Sequence, residues 1–93
     1  MPKYLIERTV PGAGQMDAAG LRAIATKSNS VLRDLGPDIQ WIYSYVTDDK
    51  ITCFYRAANP DLVREHARGG GFPVDSVAQV RAVIDPGTAE DGQ

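Results

Sequence analysis

His66 is the chain's one histidine, and any acid–base or metal chemistry starts there. Imidazole is the side chain whose unperturbed pKa lies nearest neutrality, and it is the commonest metal ligand. It stands in Arg64-Glu65-His66-Ala67-Arg68-Gly69-Gly70-Gly71-Phe72-Pro73. The glycine run ends a helix there and lets backbone come close to whatever lies beyond. Glu7, in the first strand-like segment, can serve as acid, base or oxygen ligand. A charge in a central strand needs a partner, and Arg8 points to the opposite face, so adjacency does not supply one. Cys53, the sole cysteine, offers a thiolate. Plainer readings stand beside these: His66 as a last-turn cation at the negative end of its helix, Glu65 as a solvated helix residue, and Cys53 as an inert buried thiol.

Other chemistries find less to work with. A serine triad needs a histidine base beside an exposed serine, and no Gly-x-Ser-x-Gly elbow is present. Gly12-Ala13-Gly14 lacks the later glycine of a dinucleotide loop, and Gly69-Gly70-Gly71 lacks the lysine of a phosphate loop. A Cys53/His66 dyad stays open, because their elements are sequential neighbours.

The elements that must position these groups are separated by glycines and prolines. Tyr4–Val10 reads as a strand, stopped by Pro11-Gly12-Ala13-Gly14. From Asp17 to Leu35, Leu21, Ile24, Ala25, Val31, Leu32 and Leu35 follow helical spacing, with Asp17 near the N-cap and Gly36-Pro37 as the stop. Gly20 and Ser28-Asn29-Ser30 lower helix propensity inside it and leave room for something to pack closely. Ile39–Val46 and Ile51–Ala57 form a hairpin around Thr47-Asp48-Asp49-Lys50. A second helix runs from Pro60 to Arg68, with Asn59 as N-cap and Pro60 at its first position. Val77–Ile84 is the last strand, and residues 88–93 form a polar, frayed tail.

Strand, helix, strand, strand, helix, strand is the ferredoxin-like βαββαβ plan, an α+β sandwich with a four-stranded antiparallel sheet and both helices on one face. One such domain accounts for residues 1–87. Its opposite sheet face is left open. Period-two alternation puts Ile39, Trp41, Tyr43 and Tyr45 on one face of the second strand. Ile42 and Val46 suit the helix side, so the aromatic trio belongs on the open face. Aromatic residues with polar tips fit either a wet pocket or a subunit interface.

The chain has 93 residues, 10 Lys and Arg against 12 Asp and Glu, and a net charge of −2. The scattered basic residues argue against nucleic-acid binding, which needs a clustered basic surface. No apolar run approaches the roughly 18 residues of a membrane span. Met1-Pro2-Lys3-Tyr4 leads into the first strand without the apolar stretch of a signal peptide. With a single cysteine, this makes the cytoplasm the expected location. A domain this small buries only somewhat more than about 60% of its unfolded surface, so a homodimer is expected.

Tyr4-Leu5-Ile6-Glu7-Arg8, Ser44-Tyr45-Val46-Thr47-Asp48-Asp49-Lys50, Arg64-Glu65-His66-Ala67 with Gly70-Gly71-Phe72-Pro73, and Val83-Ile84-Asp85-Pro86 resemble a family of small bacterial proteins. The family is known as a domain of unknown function, and one member is described as a nickel-binding protein. The resemblance spans about Pro2 to Glu90. It implies a dimeric ferredoxin-like fold and binding of nickel or another divalent transition metal; the sequence itself indicates no organic cofactor. The resemblance also implies that His66 and Cys53 match family positions and that Glu7 lies where relatives offer ligands. Where many relatives have histidine this chain has Tyr43, and further family histidines are missing. Each chain therefore supplies one imidazole and a dimer two, whereas nickel at nitrogen and oxygen sites usually takes several.

Three functions follow as expectations. One is a non-enzymatic protein that binds a divalent metal through His66, Glu7 and Cys53, or a small ligand. Another is a cofactor-free enzyme of monooxygenase or isomerase type. Its pocket would be formed by Trp41, Tyr43, Tyr45 and Tyr55 on the open sheet face, with His66 as general acid or base. A small dimer that packs against a partner protein is a third.

Overall fold

The computed structural model describes residues 1–91. Its elements are β1 (Lys3–Thr9), α1 (Ala18–Leu35), β2 (Ile39–Val46), β3 (Lys50–Ala57), α2 (Pro60–Gly70), β4 (Ser76–Gln79) and a single-turn α3 (Thr88–Asp91). The four strands form one antiparallel sheet in the order β2-β3-β1-β4, the ferredoxin-like arrangement. Gly92 and Gln93, the end of the polar tail, lie outside the described residues.

The caps explain where the helices begin. Asp17 accepts a hydrogen bond from the Gly20 amide at 2.8 Å, and Asn59 accepts one from Leu62 at 3.1 Å. Each satisfies one of the orphan donors of a first turn. At the other end of α2, Gly71 takes φ +69°, and Phe72 donates its amide back to the Ala67 carbonyl at 2.8 Å. A residue with a Cβ resists that left-handed turn, so the chain reverses under the helix at glycine.

Tyr4, Ile6 and Arg8 of β1 and Ile51, Cys53, Tyr55 and Ala57 of β3 are buried. Together they form the sheet face beneath the helices. Tyr4, Ile6 and the β3 residues join Ile39, Ala13 and Val63 in the core, with Leu32 and Leu35 packed against it.

Two expectations about strands need correction. The last strand ends at Gln79 rather than Ile84. Tyr4 pairs with Gln79, and the Val80 amide donates to Lys3, so β4 has reached the first residue of β1 and has no ladder left. Val83 and Ile84 continue past the sheet, 74% and 78% exposed. The second correction concerns β2, whose register skips one residue between Trp41 and Tyr43. An extra residue in one strand reverses the facing of everything after it.

Candidate functional site

That bulge divides the expected aromatic pocket. Trp41 lies opposite Tyr55 on the helix side, and its Nε1 donates to Ser44 Oγ at 2.9 Å. Tyr43 and Tyr45 lie across from Phe54 and Thr52 on the open face. There Tyr43 packs on Tyr45 and Phe54, with ring centroids 5.2 and 4.9 Å apart. The four residues assigned to one open-face pocket thus separate two and two.

A hollow lies on the other side of the sheet. A cavity of about 340 Å³ sits between the first half of α1 and the sheet. Leu21, Ile24 and Ala25 of α1 roof it, Trp41, Val46, Cys53 and Tyr55 floor it, and Phe72 and Pro73 close one end. Ser28 is the buried residue of α1. The helix therefore meets the interior from Ser28 onward and stands off it before that point. Apolar residues that would fill a tight helix–sheet contact instead form walls.

A buried polar group stands at one end of this hollow. Arg8 continues the Tyr4-Ile6 stripe of β1 and is 3% exposed. Its Nη1 donates to the Pro73 carbonyl at 2.7 Å, and its guanidinium lies over the Phe72 ring at 5.5 Å. Among the described residues Nη2 has no hydrogen-bond partner. Burial pushes the Tyr55 hydroxyl up to about 12, and Cys53 adds to this, while Arg8 and Ser28 beside it pull the other way. Tyr55 thus stays a neutral phenol beside the Arg8 guanidinium.

His66 is fully buried behind this group. Its Nε2 shares a hydrogen bond of 3.0 Å with Ser28 Oγ, and its ring lies between Tyr55 and Phe72 at 5.1 and 5.4 Å. Burial, then the nearby Arg8 charge, push the imidazole down to about 4 against the hydrogen bond to Ser28. The last-turn cation reading is therefore corrected. α2 continues to Gly70, so His66 turns inward a full turn before its end, and it is neutral at pH 7. Among the described residues Nδ1 has no partner, and His66 is not part of the cavity wall.

The three glycines after it each have a separate reason. A Cβ on Gly69 would come within 2.9 Å of Val31 on α1, and one on Gly70 would meet the Phe72 ring. Gly69 brings the helices together, Gly70 admits Phe72 beneath α2, and Gly71 turns the chain.

The proposed metal donors do not assemble within one chain. Glu7 alternates with Ile6 and Arg8 onto the open face, where it accepts from Ser76 Oγ at 3.4 Å. Cys53 and His66 belong to the helix side, across the thickness of the sheet, and among the described residues no hydrogen bond joins them. Also among the described residues, no three His, Cys, Asp or Glu side chains converge as a metal site would require. This donor set does not fit a nickel centre built by a single chain.

Sequence reasoning passed over Arg8 and Ser28 as site residues. The signal for Arg8 was available, since period two sets it in line with Tyr4 and Ile6, and a charge in an apolar stripe marks a buried polar site. Ser28 was legible only as a small residue in a helix.

A four-stranded sheet with a cavity beneath α1 and a buried cation at its end defines a small α+β protein of ferredoxin-like fold. Residues 4–80 match the family described as nickel responsive protein, SCO4226-like, and the chain belongs to that family. The crystal structure of SCO4226 from Streptomyces coelicolor A3(2) shares the fold, with a TM-score of 0.74 at 12% identity over 88% of this chain and 99% of that one. No curated protein matches the chain. Among the described residues no helix is long and apolar enough to cross a membrane.

Proposed function

We propose that this protein binds a small organic molecule, without transforming it, in the cavity between α1 and the sheet. The observation that carries the reading is the cavity itself. About 340 Å³ lies at the small end of the roughly 300–1,000 Å³ typical of ligand pockets, which are mostly apolar with a few fixed polar groups. Binding is favoured over catalysis because His66, the one side chain suited to proton transfer near neutrality, lies outside the wall. A thermal-shift and ligand-detected NMR screen of small aromatic amphiphiles tests this, with Ala25→Phe as the filled-cavity control. Hits that bind the native chain and not the variant support the reading. Equal binding to both refutes it.

Binding of nickel or another divalent transition metal is a second reading, favoured by the family's description as nickel responsive and by the unpartnered Nδ1 of His66. Calorimetric titration of metal-stripped protein with nickel, zinc, copper and cobalt, beside His66→Ala, decides it. Binding lost in the variant supports a site at His66, and unchanged affinity removes it.

The same reading places the protein in the cytoplasm as a homodimer, paired through the open sheet face. Tyr43 and Tyr45 there are 44% and 58% exposed and continuous with Phe54, an aromatic composition typical of interfaces. Light scattering of the native chain and of Tyr45→Arg measures this, and a monomeric native chain removes it.

A further inference from the structure

Arg8 is a buried charge without a countercharge. A guanidinium stays protonated in proteins, and a buried charge is costly unless paired. Its Nη1 is satisfied by a neutral carbonyl, and Nη2 by nothing. Arg8 is the one charged residue in the cavity wall, and no described carboxylate lies within ion-pair distance of it; Arg68 with Glu65 is the ion pair among the described residues. Tyr55 and Ser28 also line this wall, with the Ser28 hydroxyl held by His66 Nε2. Lys27 lies over the Phe72 ring at 5.8 Å, so the surroundings add positive charge.

We propose that the cavity takes an organic monocarboxylate with an aromatic or compact apolar body, its carboxylate paired with the Arg8 guanidinium and its body against Trp41 and Phe72. This rests on the reading of the cavity as a ligand site and names the ligand's class. One cation calls for one negative charge, and a carboxylate matches the planar fork of a guanidinium. A phosphate ester would bring a second charge with no cation in the wall to meet it. The remaining wall is apolar, which a sugar or an inorganic anion would leave unmatched.

The experiment is calorimetric or NMR titration of the full chain with three probes of one shape: phenylacetate, 2-phenylethanol and phenethylamine. Phenylacetate is expected to bind at least about tenfold more tightly than the alcohol, with the amine weakest, as a hydrogen-bonded buried ion pair predicts. In Arg8→Met, which keeps the reach and loses the charge, that preference disappears while the alcohol binds as before. The native chain decides the matter even where the variant fails to fold. Equal binding of acid and alcohol overturns the carboxylate assignment and leaves the ligand site standing. No binding of any probe at millimolar concentration overturns both.

Discussion

His66 gives a stability test with a sign and a size. A histidine in the unfolded chain titrates near 6.5, whereas burial holds the folded imidazole down to about 4. As pH falls through 6.5 the unfolded chain takes the proton first, so the folded state loses ground. The loss continues until about pH 4, below which both states carry the proton and the contribution is gone. Across that whole window the depression amounts to about 3 kcal/mol, of which about 2.5 kcal/mol falls between pH 7.5 and 4.5. That is a large part of the about 5–15 kcal/mol that holds a typical domain together. Urea unfolding at several pH values between these limits, at fixed ionic strength, reads it directly. With a slope near the low end of about 1–3 kcal/mol per molar, the midpoint falls by about 2 M. Carboxylates also titrate near the acid end, so the decisive quantity is the native chain minus His66→Gln. The glutamine can keep a hydrogen bond to Ser28 but has no proton to gain. Its absolute stability does not matter, because only the pH slope is compared. Parallel losses in the two proteins would mean that His66 is solvated in the folded state, and the buried polar group behind the cavity would be wrong.

Two further outcomes follow from particular contacts. Gly70→Ala places a methyl group against the Phe72 ring, so overpacking of about 1–3 kcal/mol is expected; the thermal midpoint measures it, and a neutral result would show that the ring does not sit beneath α2. Asn59→Ala removes the side-chain acceptor from the Leu62 amide and should cost about 1 kcal/mol in urea unfolding, while Asn59→Gly costs only a few tenths.

The sequence made the frame legible because the frame is set by local chemistry. Asp17 and Asn59 cap their helices where expected, and Gly36 and Gly71 end them in positive φ. Alternation set Glu7 and Arg8 on opposite faces of β1, as found, but Tyr55 of β3 was assigned to the open face and lies under the helices. Alternation failed in β2 because a bulge is a cross-strand event, with Ile42 left unpaired by its neighbour, and period-two counting assumes there is none. The last strand was overread for a similar reason. Val83 and Ile84 have strand propensity, but pairing depends on how far β1 extends, which the segment itself does not encode. Arg8 was seen to face away from Glu7, yet its burial depends on the helix layer above it. The cavity was illegible for a stronger reason. Leu21, Ile24 and Ala25 form the same apolar stripe whether a helix packs tightly or stands off, and only long-range contacts decide which.

Those contacts can be located, and they make a last prediction. α1 is fixed to α2 at its middle, where Ser28 meets His66 and Val31 lies against Gly69. Toward the C-terminus Leu32 and Leu35 join the core, and toward the N-terminus the helix roofs the hollow. The Ser28–His66 pair is therefore a pivot, and the space beneath Leu21 depends on how closely the helices approach there. Gly69→Ala sets a Cβ 2.9 Å from Val31 Cγ1, closer than carbon atoms pack, while leaving every cavity wall unchanged. Val31 must yield or α1 must shift. If α1 shifts, the affinity of any molecule held in the cavity changes although no contacting residue has been altered, and the His66 pH slope changes with it as burial is relaxed. If Val31 alone yields, stability falls by about 1–3 kcal/mol while affinity and pH slope stay as they were. Measuring all three on one variant separates these cases, and the second outcome would show that the cavity's shape is set by its own walls rather than by the contact between the helices.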